Sequence, residues 1–535
     1  MATNSTSRDT STDSISQTGS SLQEKPHSRY WIFIGIGVLV IFGLGLALRL
    51  YDLTDQPVDF HPTRQLRGAI IARGIYYQMS PSADPETRQQ AISFIKSTGK
   101  YEPSILEWIV AFTYRLIGEE HLWVARLYTT LFWIIGGAAL FALALRMMNY
   151  ALAEEDVPSK RVITYGSVVL VLAYYFVLPF GVQASRSFQP DPGMVMWILL
   201  SMYTLYRWSE NREWKWALLT GLFAGIAILT KAVAIYIIAG AAVAVVLYTL
   251  GFKRSWRDPQ VWSMAILMIS PAAVFYLGKG DRTSEYLSGW TISLSHLLLQ
   301  PAFYMRWLNF VQDLMGLSVL LLAFTGVLIS KPRNRALLIG LWAGYVLYGL
   351  FLPYQIYTHN YYHLQLIPII SISLLPVVGL ILTRIIQQSK VWQALFGVVI
   401  LVGLGYLSWI AILPQYAQDH RQEPVYWGEI ASHLPEDGKI MALTQDYGFR
   451  LMYYGWRKVT LWPNRAEQKL MKLRSSDKDF EEFFNKRTDG KNYFMITSFN
   501  QFDDQSDLKH YLYDNYPILA EGEGYLIFDM RTSLQ

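Results

Sequence analysis

Residues 30–64 read YWIFIGIGVLVIFGLGLALRLYDLTDQPVDFHPTR, an apolar run that breaks into Val58-Asp59-Phe60-His61-Pro62-Thr63-Arg64. A helix over Tyr30–Leu50 rises about 1.5 Å per residue, so it spans ~30 Å, the thickness of a bilayer's hydrocarbon core. The run is too long for a signal-peptide core and shows no small-residue cleavage pattern, so it is expected to remain as an anchor. An acid, an imidazole and a guanidinium therefore emerge together at a membrane surface. A proton acceptor beside a phosphate-holding cation is what catalysis there requires.

The rest of the chain fits that start. Of its 535 residues 52% are hydrophobic and only 16% charged, and mean hydropathy is +0.21, as in a polytopic membrane protein. The 18 Trp and 35 Tyr suit two interfacial belts. A net charge of +5 is too small to argue for nucleic acid. The absence of cysteine excludes disulfides, Cys-ligated zinc and thiol catalysis.

Met1–Arg29, rich in Ser and Thr, reads as a disordered tail. Beyond the first span, apolar runs recur near Leu122–Met148, Val162–Pro179, Gly193–Trp208, Trp216–Thr230, Ala232–Leu250, Val261–Leu277, Leu314–Ile329, Ala336–Pro353, Leu364–Ile385 and Trp392–Leu413. They predict about eleven crossings. Ile105–Ile117 is too short to cross and is expected at the interface. Loops carrying Lys160/Arg161, Arg207/Arg212/Lys215, Lys253/Arg254/Arg257, Lys331/Arg333/Arg335 and Arg384/Lys390 fall on the side of the tail, which the positive-inside pattern makes cytoplasmic. Asp59, Asp191, Lys231 and His359–His363 then share the opposite face. Residues 414–535 alternate helical patterns with strands at Lys439–Leu443, Tyr493–Thr497 and Tyr525–Asp529, which predicts a small extracytoplasmic α/β domain. The membrane part, 30–413, is expected to carry catalysis.

Several residues are candidates for a site. Asp59 follows a Pro-punctuated turn and reads as a base or as a turn residue. In a helix over Thr63–Met79, Arg64 and Arg67 share one side and Arg73 points the other way. The first two are a pair able to hold an anion or to snorkel to headgroups. Asp191 before Pro192 reads as a helix cap or a ligand contact, with Arg186 a nearby cation. Lys231 sits between two apolar runs and needs an anionic partner, for which a lipid phosphate would serve. His359, Tyr361, Tyr362 and His363 form either an interfacial belt or a sugar-binding surface. His61, Glu102 and His359 have oxygen and nitrogen atoms suited to a divalent metal, but their spacing diagnoses none.

The order of these features resembles the GT-C membrane glycosyltransferases of family 39, which include protein O-mannosyltransferases and bacterial lipid A aminoarabinose transferases. The resemblance rests on Asp59-Phe60-His61 after the first span, Tyr101-Glu102-Pro103 before Trp108, and Gly118 through Ala125-Arg126-Leu127. Further along, Asp191-Pro192, Leu229-Thr230-Lys231 and Tyr361-Tyr362-His363-Leu364 continue it. Two features depart from the family pattern: its Asp-Glu pair is Asp59-Phe60 here, and its lysine before proline is missing. The resemblance implies a sugar donor on a polyprenyl or dolichyl phosphate rather than on a nucleotide. No nucleotide-binding glycine fingerprint precedes a helix here.

The expectation is thus an α-helical, plasma-membrane glycosyltransferase acting on the outer face, with its N-terminus in the cytoplasm. Asp59 would take the proton of a lipid, glycan or protein acceptor. Arg64, Arg67, Arg186 and Lys231 would hold the departing phosphate. His61, Glu102, Asp191, His359, Tyr361, Tyr362 and His363 would line the sugar and acceptor side. The competing readings are a transporter or receptor with an external domain, and an oligosaccharide ligase using a lipid diphosphate.

Overall fold

The computed structural model describes residues 28–99, 102–155, 157, 159–278, 294–465, 467–468 and 479–534. Most of the expected N-terminal tail, and Tyr101, lie outside them. Each of the eleven apolar runs is helical. In chain order the helices are α1 Ser28–Leu50, α2 Pro62–Gln78, α3 Pro85–Ser97, α4 Ile105–Ile117, α5 Trp123–Ala151, α6 Lys160–Val177, α7 Pro179–Ser185, α8 Asp191–Asn211 and α9 Trp214–Thr230. Then come α10 Ala234–Ser255, α11 Pro259–Leu277, α12 Pro301–Met315, α13 Leu317–Ile329, α14 Pro332–Phe351, α15 Pro353–Thr358, α16 Leu366–Ile386 and α17 Lys390–Ala417.

Six of the described helices are long and apolar enough to cross a membrane singly, and the chain is a multi-pass membrane protein. The run expected at Leu314–Ile329 does not form one straight span. It breaks at Gly316 (φ 84), where α12 and α13 meet at 94°. Helix α8 is less apolar because most of its length is buried among other helices, where Ser201 and Thr204 bond to carbonyls of their own helix. Close backbone approach sets the packing of α10 on α14. A Cβ on Gly340 or Gly344, the ends of a G-x-x-x-G step, would stand 2.5 and 2.4 Å from carbonyl oxygens of α10.

The two ends of the bundle differ in chemistry. At one end Arg212 pairs with Asp258, Lys331 with Glu155, and Arg207 with Glu210, so the basic loops gather there. At the other end the polar loops converge, and the C-terminal domain packs over them. That domain is built on a sheet of order β2-β1-β3-β5-β4: Ile440–Leu443 (β1), Val459–Leu461 (β2), Tyr493–Ile496 (β3), Ile518–Gly522 (β4) and Tyr525–Asp529 (β5). The first three strands run parallel and β5 pairs antiparallel with β3 and β4. The sheet is covered on both faces. Tyr493 and Met495 pack on Trp427 and Leu451, whereas Phe494 and Ile496 pack on Trp462 and Phe484. His420 N–H and Arg421 tie the start of the domain to Asp55 and Asp52.

Candidate functional site

Gln65 braces the turn before α2. Gln65 donates to the Phe60 carbonyl at 2.7 Å and to Asp59 Oδ1 at 3.0 Å, and accepts from the Phe188 N–H at 2.9 Å. Pro62 supplies the first helical residue, where a missing N–H costs nothing. His61 caps the helix in the left-handed region, at φ 48.

Two polar clusters lie on either side of this turn in the contact network. In the first, Arg126 points back from α5 and meets Asp59 Oδ1 at 3.3 Å. It also donates to the carbonyls of Leu53, Asp55 and Gln56 at 2.7–3.1 Å, so one fully buried guanidinium gathers the whole loop. Arg186 donates to the Asp52 carbonyl at 2.8 Å. Burial alone would push the Asp59 carboxyl up. The Arg126 and Arg186 charges and the Gln65 hydrogen bond outweigh it and hold the group below its ordinary 3.8. Both contacts fall on Oδ1.

The second cluster gathers eight of the expected residues. Lys231 and Asp191 form a buried ion pair at 2.8 Å, and Asp191 Oδ2 has no partner. Asp191 does not cap α8, as the Asp-Pro step predicts. Pro190 occupies the cap and Asp191 is the first helical residue, which aims its carboxylate at Lys231. Lys231 Nζ stands 5.1 Å from the Tyr361 ring centre and 4.6 Å from that of Tyr362. The Arg64 guanidinium reaches the same Tyr361 ring at 5.9 Å and bonds both Glu102 oxygens at 3.0 Å through Nη2 alone. His61 Nε2 meets Asn360 Oδ1 at 2.6 Å, and its ring contacts Tyr361 edge-on at 4.8 Å. His359 lies 5.4 Å from Tyr361.

Burial lowers the pKa of both histidines, that of His359 to about 4, so both are neutral at pH 7. Burial pushes Glu102 up, but Arg64 and Lys231 overcome it and keep the carboxylate ionised. Asp59 shares no hydrogen bond or ion pair with Arg64 or Lys231.

Three expectations do not carry over. Arg186 bonds the Asp52 carbonyl beside Asp59 and does not join the Lys231 cluster. Arg67 lies on the Arg64 side of α2, but its Nε and Nη2 bond the Thr98 and Gly99 carbonyls at 3.0 and 2.7 Å, so it fastens a loop. His363 is fully buried beneath the cluster, with Nδ1 2.6 Å from the Tyr345 hydroxyl. The candidate metal ligands His61, Glu102 and His359 contact Asn360, Arg64 and Thr358. Among the described residues no three His, Asp or Glu come together to hold a metal ion. Arg73 does point the opposite way, onto Glu120 and Tyr453.

Two residues that matter were given no role from the sequence. Arg126 is visible there as a charge at the head of an apolar run, a costly placement that asks for a partner. Gln65 carries no such signal, because its role depends on loops 123 residues apart.

Comparison with known proteins gives the same direction. Residues 159–276, which include Asp191 and Lys231, match the family model described as dolichyl-phosphate-mannose-protein mannosyltransferase. No curated protein sequence matches. The fold is shared with ArnT from Cupriavidus metallidurans in two crystal structures. One, bound to undecaprenyl phosphate, has a TM-score of 0.53 at 15% identity and covers 94% of this chain and 98% of that one. The other, in the apo state, gives 0.53 at 16% identity, with 94% and 97% covered.

Proposed function

We propose that this protein is an integral-membrane glycosyltransferase that moves a sugar from a polyprenyl-phosphate donor to an acceptor hydroxyl. The observation that carries the reading is the pair of cations, Arg64 and Lys231, arriving from separate helices over one aromatic floor, Tyr361. Arg64 spends only Nη2 on Glu102, which leaves the Nε and Nη1 hydrogens as donors for phosphate oxygens. Lys231 spends one of its three donors on Asp191. Negative charge grows on the phosphate as the C1–O bond breaks, so these donors stabilise the transition state more than the ground state. Asp191 Oδ2, buried and without a partner, suits a sugar hydroxyl, and Tyr361 and Tyr362 suit the flat C–H face of the ring.

Asp59 is the proposed base. Displacement with inversion needs the acceptor to attack from the face opposite the leaving phosphate, so base and phosphate ligands belong on different sides of the sugar. Its lack of any bond to Arg64 or Lys231 agrees with that requirement. With Oδ1 held by Arg126 and Gln65, Oδ2 takes the acceptor proton as the new C1–O bond forms and the polyprenyl phosphate departs. Arg186 and His363 support the site rather than touch the donor, and Arg67 sets the loop that bears Glu102. In the proposed topology eleven crossings place the N-terminus in the cytoplasm, and the site and residues 414–535 outside. Purified protein reconstituted with a polyprenyl-phosphate hexose tests the reading. Release of polyprenyl phosphate that depends on Arg64 and Lys231 supports it; equal release by protein lacking both cations refutes it.

A further inference from the structure

A cleft of about 580 Å³ opens between the membrane part and the C-terminal domain, away from the Lys231 cluster. Its volume lies in the range of about 300–1,000 Å³ usual for small-molecule sites. The walls come from α2 (Arg73), the loop before α5 (Glu120, His121, Trp123) and the segment after β1 (Tyr453, Trp456). Arg73 bonds both Glu120 oxygens at 2.9 and 3.1 Å and is flanked by the Tyr453 and Trp456 rings, 3.7 and 4.5 Å from its guanidinium carbon. His121 pairs with Glu119 at 2.9 Å and stacks on Trp123 at 5.4 Å. Trp456 is held at φ 52, a conformation rarely adopted by a bulky residue, and its backbone carbonyl is fixed by Gln90.

Among the described residues the one cation of the cleft, Arg73, is matched by Glu120, so the cleft offers an anion no net attraction. Its partly exposed rings are Trp123 and Trp456, beside the polar atoms of Gln56 and His121, a mixture of aromatic and polar surface that suits a pyranose ring. Its position adds to this. Thr54 and Gln56 also line it, and the Gln56 carbonyl and the Asp59 carboxylate share Arg126. The loop that bears the proposed base thus also forms part of the cleft wall. We infer that this cleft binds a neutral saccharide and is the acceptor subsite, so that the acceptor is a glycan. The inference rests on the transferase reading for its role, though not for its ligand chemistry.

Saturation-transfer NMR of the full-length protein in detergent, with methyl glycosides of glucose, galactose, mannose and N-acetylglucosamine, tests it without any donor. At least one glycoside should receive saturation at its ring protons. Trp456→Leu, or His121→Ala whose ring is less enclosed, should cut that signal at least fivefold in protein that melts as wild type does. Absence of transfer to all four sugars, or undiminished transfer in both variants, overturns the inference. Polyprenyl-phosphate release measured in parallel separates the two ideas. Intact release without sugar binding sinks the cleft alone, and sugar binding without release sinks the transferase and with it the acceptor role, leaving the saccharide site.

Discussion

Arg126 and Asp59 form a buried ion pair at 3.3 Å in which the arginine also binds three carbonyls of the loop that precedes the acid. Arg126 therefore helps to set both the position of the proposed base and its charge, together with Gln65 and Arg186. Removing one partner of a buried pair typically costs about 3–5 kcal/mol. Arg126→Met should lower thermal stability and move the acid limb of activity upward, because the largest charge opposing burial at Asp59 is then gone and only Arg186 and Gln65 remain. An acid limb that stays in place would show that Arg126 does not tune Asp59.

Asp59→Asn keeps the shape of the side chain and removes only its basicity. General bases contribute about 10²–10⁴ in rate, so turnover should fall by at least a hundredfold while the protein still inserts and melts normally. Near-normal turnover would dismiss Asp59 as the base.

The pH dependence follows from the shifts. Asp59 titrates below 3.8 in the fold, so its stabilising charge is complete above 3.8 and disappears as pH falls through its lower folded value. His359 is lowered from 6.5 to about 4, so the unfolded chain binds its proton first as pH falls below 6.5, and stability declines from there towards 4. Activity between pH 6 and 8 should show no histidine limb. A rate profile with a limb near 6.5 that vanishes in His359→Gln would contradict this.

Lys231 separates a structural from a functional role. Lys231→Gln leaves Asp191 buried and unpaired, and should lower both the melting temperature and donor use, the latter by about one to two decades for a lost charge-assisted bond. The double variant Asp191→Asn/Lys231→Gln should regain most of the stability but none of the donor use. If the double variant turns over donor as wild type does, the pair is structural only.

Sidedness is testable because the chain has no cysteine. A single cysteine at Asn500 should react with an impermeant reagent in intact cells, and one at Arg335 should not. Arg335 is preferable to Asn334, which is buried and bonded to Tyr206 and to the Met147 carbonyl. The opposite labelling pattern would invert the topology.

Much of the fold was legible because a bilayer allows few solutions. All eleven apolar runs became helices, and the basic loops gathered at one end. What escaped was set by long-range contacts. β2 has only three residues and β4 is a largely exposed edge, so neither shows a strong strand pattern. Asp191 looked like a cap because Asp-Pro favours one, but a lysine forty residues away claims its carboxylate. Arg64 and Arg67 share the periodicity that grouped them, and only the positions of Thr98, Gly99 and Glu102 assign one to a carboxylate and the other to backbone carbonyls.

The central claim is the donor. Mass spectrometry of lipids that co-purify with the protein tests it most directly, with Arg64→Gln/Lys231→Gln as control. A polyprenyl monophosphate carrying one hexose or pentose, bound to the wild type and lost from the double variant, is the expected result. A lipid diphosphate in its place, or a monophosphate retained equally by both proteins, would contradict the account.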